Sequence, residues 1–196
     1  MFRSVKVLQV VLLLSLFAIP RVGRTASTAA VCADDAVAPP DSAPGASPSK
    51  TAQSRVVGTD APDFSLKDPA GKVVHLRDFR GKVVVIDFWA SECPSSRAEM
   101  PYLQQMHDQY SEKDLAILGL NIGEDAHQVS EFATDSVYTF PLLVGADPDV
   151  LSKYLVTVYP VTFVIDRGGK IIFAGSPAYD PGAILRSVKS AIAKKN

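Results

Sequence analysis

Cys93 lies within the segment Trp89-Ala-Ser-Glu-Cys-Pro-Ser-Ser, between the most apolar run of the chain and a stretch with helical spacing. That places it at a strand-to-helix turn. A helix N-terminus favours negative charge, so a thiol there loses its proton more readily and becomes a nucleophile. A cysteine packed in a core would be inert, but strand-to-helix turns point outward. Asp87 interrupts the apolar run. A carboxylate there is desolvated, which raises its pKa and suits it to accept a proton. Glu99 lies two helical turns after Cys93 and one after Ser96, so it can face the same region. Tyr159-Pro160 opens a later strand, where proline fits either the first strand position or a cis bond in a tight turn.

The elements around these residues follow from periodicity. Val83-Val-Val-Ile-Asp-Phe-Trp reads as a central strand covered on both faces. Residues 94–110 carry Met100, Leu103, Met106 and Tyr110 near helical spacing, with Pro101 expected to kink the helix. Leu115 to Asn121 is a second buried strand. Ala126 to about Thr134 and Asp149 to Tyr154 are short helices. Val161 to Asp166 and Lys170 to Ala174 form strands joined by a turn at Arg167-Gly-Gly. Pro181 to Lys194 is a last helix, with Asp180 as its cap. Upstream, Asp63-Phe-Ser-Leu-Lys and Val73-Val-His-Leu flank the turn Asp68-Pro-Ala-Gly and read as a hairpin. The order is a hairpin, then β-α-β-α, then β-β-α. The expected architecture is α/β, with parallel pairing first and an antiparallel edge after it.

The N-terminal part has another character. Arg3 and Lys6 precede an apolar run from Val7 to Ile19 that Pro20 ends, and small residues follow. Residues 1–30 read as a secretory signal, too short for a comfortable membrane span. Left uncleaved, the run would associate the protein with a membrane, and Arg21 and Arg24 are unusual before a cleavage site. Lipid attachment at Cys32 lacks the customary leucine upstream. The expected location is the periplasm or cell envelope. Residues 31–56, rich in Pro, Ala and Ser, read as an extended disordered linker, and residues 57–196 as the single folded domain. The formal net charge is −1, or about −5 without residues 1–30. No basic footprint argues for nucleic acid. Two cysteines, Cys32 and Cys93, are too few for a disulfide framework or zinc ribbon.

Val85-Ile-Asp-Phe-Trp-Ala-Ser-Glu-Cys-Pro-Ser-Ser-Arg-Ala-Glu-Met-Pro resembles the active-site segment of thioredoxin-like proteins of the TlpA/ResA type. Ala61-Pro-Asp-Phe-Ser-Leu resembles that group's N-terminal hairpin. Phe140-Pro-Leu-Leu and Tyr159-Pro-Val-Thr-Phe-Val-Ile-Asp-Arg-Gly-Gly-Lys-Ile are similar to its later half. The resemblance spans about Val57 to Ala193. It implies a thioredoxin-like fold: a central mixed sheet flanked by helices, an N-terminal β-hairpin, and a central helix insertion around Glu124 to Leu143. It also implies an exported thiol–disulfide oxidoreductase that acts on protein thiols and disulfides or small thiols, in redox homeostasis or cytochrome c maturation, with no cofactor or metal. Cys93 then takes the attacking position, and Pro160 the cis-proline beside it. Asp87 takes the buried proton acceptor, and Glu99 and Glu124 the acids bordering the site. The catalytic set is Cys93, Asp87 and Glu99, and the substrate-binding set is Ser96, Glu124, Tyr159 and Pro160.

The chain departs from that pattern where the second cysteine should be. Ser96 stands there and cannot close a disulfide. Glu92 replaces a tryptophan and places negative charge beside Cys93. A mixed disulfide on Cys93 is therefore expected to persist unless an outside thiol or Cys32 releases it. A linker of about 25 residues spans roughly 25–30 Å, so Cys32 can reach the site. A monothiol exchange protein is the expected function. The alternative is a redox-inactive binding module that keeps the groove around Pro160. A peroxidase of the peroxiredoxin kind would need proline at Ile86 and threonine at Ala90. A copper site would have to combine Cys93 with His75, His107 or His127.

Overall fold

The computed structural model describes residues 30–35, 54–110, 112–175 and 181–194. The signal segment up to residue 29, the linker at 36–53 and the cap expected at Asp180 lie outside them. The elements in chain order are β1 (Val31–Cys32), β2 (Ser65–Lys67), β3 (Val73–His75), β4 (Val83–Trp89), α1 (Pro94–Gln109), β5 (Leu115–Asn121) and α2 (Ala126–Asp135). There follow β6 (Leu142–Leu143), α3 (Pro148–Lys153), β7 (Val158–Tyr159), β8 (Val161–Ile165), β9 (Ile171–Gly175) and α4 (Pro181–Ala193).

Five strands form the central sheet in the order β6-β5-β4-β8-β9. β5 runs parallel to both β4 and β6, β8 antiparallel to β4, and β9 antiparallel to β8. This is the mixed sheet of a thioredoxin-like fold. Every residue of β4 and β5 is buried, as expected of strands covered on both faces. β2 and β3 pair antiparallel as the N-terminal hairpin. The central insertion contributes α2 and β6.

Side chains alternate across β4 and divide the core in two. Val84, Ile86, Phe88 and Ala90 pack with Tyr154, Phe163, Cys93 and Cys32. Val83, Val85 and Trp89 pack with Met100 and Leu103 of α1 and with Ile184 and Val188 of α4. Alternation puts Asp87 on this second face. Gly119, its register partner on β5, leaves room for the indole: a Cβ there would lie 3.0 Å from Trp89 Nε1.

The linker reading changes at its N-terminal end. Val31–Cys32, inside the segment expected to be disordered, forms a strand that pairs parallel with β7. The pairing rests on backbone hydrogen bonds: the Val31 N–H donates to Thr157 O at 3.1 Å, and the Ala33 N–H to Tyr159 O at 2.7 Å. A two-residue strand leaves no periodicity to read, so hydrophobic pattern does not reveal it.

Candidate active site

β4 ends at Trp89 and α1 begins at Pro94, with Cys93 in an extended conformation as the residue before the helix. Its N–H donates to Ala90 O at 3.3 Å, and its carbonyl accepts from Arg97 N at 3.1 Å. Proline at the first helical position costs no hydrogen bond, because that N–H would have no partner in the helix. The turn therefore holds Cys93 at the helix N-terminus, as its sequence position suggests.

Cys93 is not alone. It forms a disulfide with Cys32, 61 residues away, with Cα atoms 5.8 Å apart, inside the range that a disulfide can bridge. Cys93 is fully buried and Cys32 is 4% exposed. The second sulfur thus comes from β1 rather than from the turn, which corrects the expectation of a site without a partner cysteine. The physical cause is register: Cys32 pairs with Tyr159, whose carbonyl lies 3.9 Å from Cys93 Sγ.

Asp34 completes the arm. Its Oδ2 accepts from the Ser95 N–H at 3.0 Å, one of the first free amides of α1. The same oxygen lies 3.4 Å from Cys32 Sγ and 3.7 Å from Cys93 Sγ. In the disulfide neither sulfur has a proton to donate, so these are close approaches of a carboxylate to sulfur. Ser95 Oγ, 3.3 Å from Cys93 Sγ, is the group that can donate there. Ser96, in the place of the family's second cysteine, is buried and accepts from the Ala90 N–H at 3.4 Å. It closes the turn.

Tyr159-Pro160 is a cis peptide bond, one of the two conformations its sequence position suggests, and both residues are buried. Beside them lies a carboxylate pair. Glu124 accepts from the Ser91 N–H at 3.0 and 3.1 Å, from the Ser91 hydroxyl and from Asn121 Nδ2, while its own N–H donates to Asn121 Oδ1 at 3.1 Å. Burial pushes its pKa up, but the hydrogen bonds from Glu92, Ser91 and Asn121 outweigh burial and hold it below the usual range. Glu92 is raised, first by its hydrogen bond to Glu124 and then by burial. A proton entering this pair therefore goes to Glu92. Burial raises the Tyr159 hydroxyl as well, and the charges of Glu92, Asp35 and Glu124 add to it. The negative charge expected beside Cys93 is real, but it is tied into this pair.

Asp87 is fully buried, and desolvation pushes its pKa up to about 7 against a hydrogen bond from Thr162 Oγ1 at 3.0 Å. Its Oδ2 has no hydrogen-bond partner among the described residues. Glu99 is 1% exposed, on the α1 turn that also buries Met100. Asp87 and Glu99 thus lie on the α1 side of the sheet, while Cys32 and the Tyr159 carbonyl meet Cys93 at the helix N-terminus. Among the described residues, Cys32, Asp34 and Cys93 bring ligand atoms within 4.8 Å of one another, and no histidine joins them. As a disulfide the two sulfurs are not thiolates; only the dithiol would offer a metal two of them.

Sequence reasoning missed the role of Asp34 and of the Ser91–Glu124 contact, which depend on tertiary neighbours. For Cys32 a signal was present: it is the other of the sequence's two cysteines.

Residues 57–174 match the AhpC/TSA family. The chain belongs to the AhpC/TSA family. Within it, the chain is 39% identical over 115 residues to the thiol-disulfide oxidoreductase ResA of Geobacillus thermodenitrificans, covering 59% of this chain and 66% of that one. It is 34% identical to ResA of Bacillus subtilis, covering 59% and 64%. The match thus spans just under two thirds of these relatives' length. Among solved structures, a Chlorobium tepidum protein assigned as the thiol:disulfide interchange protein DsbE superposes with TM-score 0.64 at 31% identity, over 69% of this chain and 97% of that one. A thiol:disulfide interchange protein from Bacteroides sp. gives 0.59 at 26%, over 68% and 90%. This AhpC/TSA member therefore has a thioredoxin-like fold, with the mixed central sheet flanked by helices.

Proposed function

We propose that this protein is a thiol–disulfide oxidoreductase that works with two cysteines drawn from different parts of the chain, Cys93 as nucleophile and Cys32 as the resolving thiol. The observation that carries this reading is the Cys32–Cys93 disulfide at the N-terminus of α1, beside Pro160. In the dithiol form, the Cys93 thiolate attacks one sulfur of a substrate disulfide, and the substrate's other sulfur leaves and takes up a proton. Cys32 then attacks Cys93 Sγ, expels the second substrate thiol and restores the internal bond. Two electrons pass from the protein to the substrate. Run backwards, the same steps oxidise a substrate dithiol.

Around this core, Asp87, with its pKa near 7, acts as a proton store for the exchange, and Glu99 adds to the buried charge on the same side. Tyr159 and Pro160 offer backbone to an extended substrate, and Ser96 and Glu124 hold the turn that presents Cys93. Protein disulfides of the cell envelope are the substrate class, with cytochrome c maturation as one setting. Export through residues 1–30, or retention at the membrane through that apolar run, places the protein there. No helix among the described residues is long and apolar enough to cross a membrane.

Thiol counting tests the reading. The purified protein should take up two alkylating groups only after dithiothreitol, and the reduced form should reduce the disulfides of insulin. Cys93→Ser should abolish that activity. A wild-type protein that alkylates at both thiols yet never reduces insulin, nor oxidises a dithiol peptide, supports the binding module instead.

A further inference from the structure

Residues 31–35 do more than deliver a sulfur. They lie as a short peptide added to β7, fixed by two backbone hydrogen bonds, with their cysteine bonded to Cys93 and their aspartate on the helix N-terminus. A mixed disulfide between Cys93 and a foreign cysteine peptide would have the same parts. Three contacts would hold such a peptide. Backbone pairing with Thr157 and Tyr159 reads no side chain, because main-chain groups are common to all residues. The disulfide reads cysteine. The contact between Asp34 Oδ2 and the Ser95 N–H reads a carboxylate two residues after that cysteine, where the free amides of a 16-residue helix favour an anion.

Resting on the exchange reading above, we propose that the groove takes extended cysteine peptides with an acidic residue two positions after the cysteine, and that residues 31–35 are such a peptide supplied in cis. Asp35, next along the arm, has the opposite bearing. It adds to the negative charge acting on Tyr159, alongside Glu92 and Glu124. The Ser95 amide is taken by the acid at the second position after cysteine, which is where the site asks for one.

Peptides test this against Cys32→Ser protein, in which the arm cannot occupy Cys93 covalently. The probes are Ala-Val-Cys-Ala-Asp-Asp, the sequence of residues 30–35, and two isomers of equal charge with asparagine replacing either the first or the second aspartate. Each carries its cysteine as a 2-thiopyridyl disulfide. The Cys93 thiolate attacks the peptide sulfur, and pyridine-2-thione leaves and is read by absorbance. The isomer lacking the first aspartate should react about fivefold more slowly than the isomer lacking the second, in keeping with the loss of one helix cap. In the wild-type chain, Asp34→Asn should raise the rate of reduction of the internal disulfide by dithiothreitol by a similar factor. Equal rates for the two isomers would overturn the proposal, as would peptides that fail while 5,5′-dithiobis(2-nitrobenzoate) still reacts; both leave the exchange reading standing. If that aromatic disulfide also fails, the exchange reading falls too.

Discussion

Cys32 and Tyr159 lie opposite each other in a parallel pair of strands, so backbone register, not the linker's reach alone, brings Cys32 to Cys93. The arm is short and has few contacts besides the disulfide and Asp34. Reduction alters both. A Cys93 thiolate would face Asp34 Oδ2, 3.7 Å away in the oxidised protein, and the two anions would compete for one helix N-terminus.

Reduction should therefore release the arm. Hydrogen exchange measured before and after dithiothreitol should show the Val31 and Ala33 amides protected only in the oxidised protein, while amides of β4 and β5 stay protected in both. The reduced protein should also be less stable by about 2–4 kcal/mol, the usual contribution of a disulfide that closes a long loop. Protection of Val31 and Ala33 that survives reduction would show that the arm docks without its covalent bond.

Asp87 sets a pH dependence of opposite sign to that of a paired carboxylate. Its pKa rises to about 7 in the folded state, so between about pH 4 and 7 the folded protein holds a proton that the unfolded chain has lost. Stability should fall as pH rises through that window, and Asp87 adds no further slope above it. Asp87→Asn should remove this slope. Denaturant midpoints at pH 5 and pH 8 should differ less in the variant, which should gain about 1–3 kcal/mol on wild type at pH 8 relative to pH 5. Unchanged pH dependence would mean that Asp87 is hydrated or paired in solution.

The fold was legible where the chain is strongly patterned. Val83–Trp89, apolar except for Asp87, and Leu115–Asn121, apolar up to its final Asn121, are the most strongly patterned segments, and the strands match them residue for residue. α2 starts at Ala126 as expected, capped by Asp125, and runs one residue further, while α3 starts and ends one residue earlier than expected, its start set by the Asp147 cap. The strand-to-helix turn announced Cys93. The docked arm was hidden because strand addition uses main-chain groups, and a proline- and alanine-rich composition describes only the segment's average. The pairing of Glu92 with Glu124 was hidden because its members come from different turns: the sequence places Glu92 beside Cys93 and the resemblance places Glu124 at the border of the site, but neither shows that they meet.

The two-cysteine account also constrains export. A mature chain must keep Cys32 with a free thiol to form the internal bond. Mass spectrometry of the native protein should find an N-terminus at or before Cys32, and no lipid on that residue. A mature chain beginning after Cys32, or a lipidated Cys32, would return the protein to a single-cysteine mechanism.

The most direct test is the fate of Cys93 after attack. Wild-type and Cys32→Ser proteins, reduced and then freed of reductant, are incubated with oxidised glutathione and followed by intact-mass spectrometry. The wild type should pass through a glutathione adduct and end two hydrogens lighter, with a Cys32–Cys93 peptide pair in the digest, while Cys32→Ser should stop at a stable adduct on Cys93. A stable adduct on the wild type, with Cys32 still free to alkylation, would contradict the account.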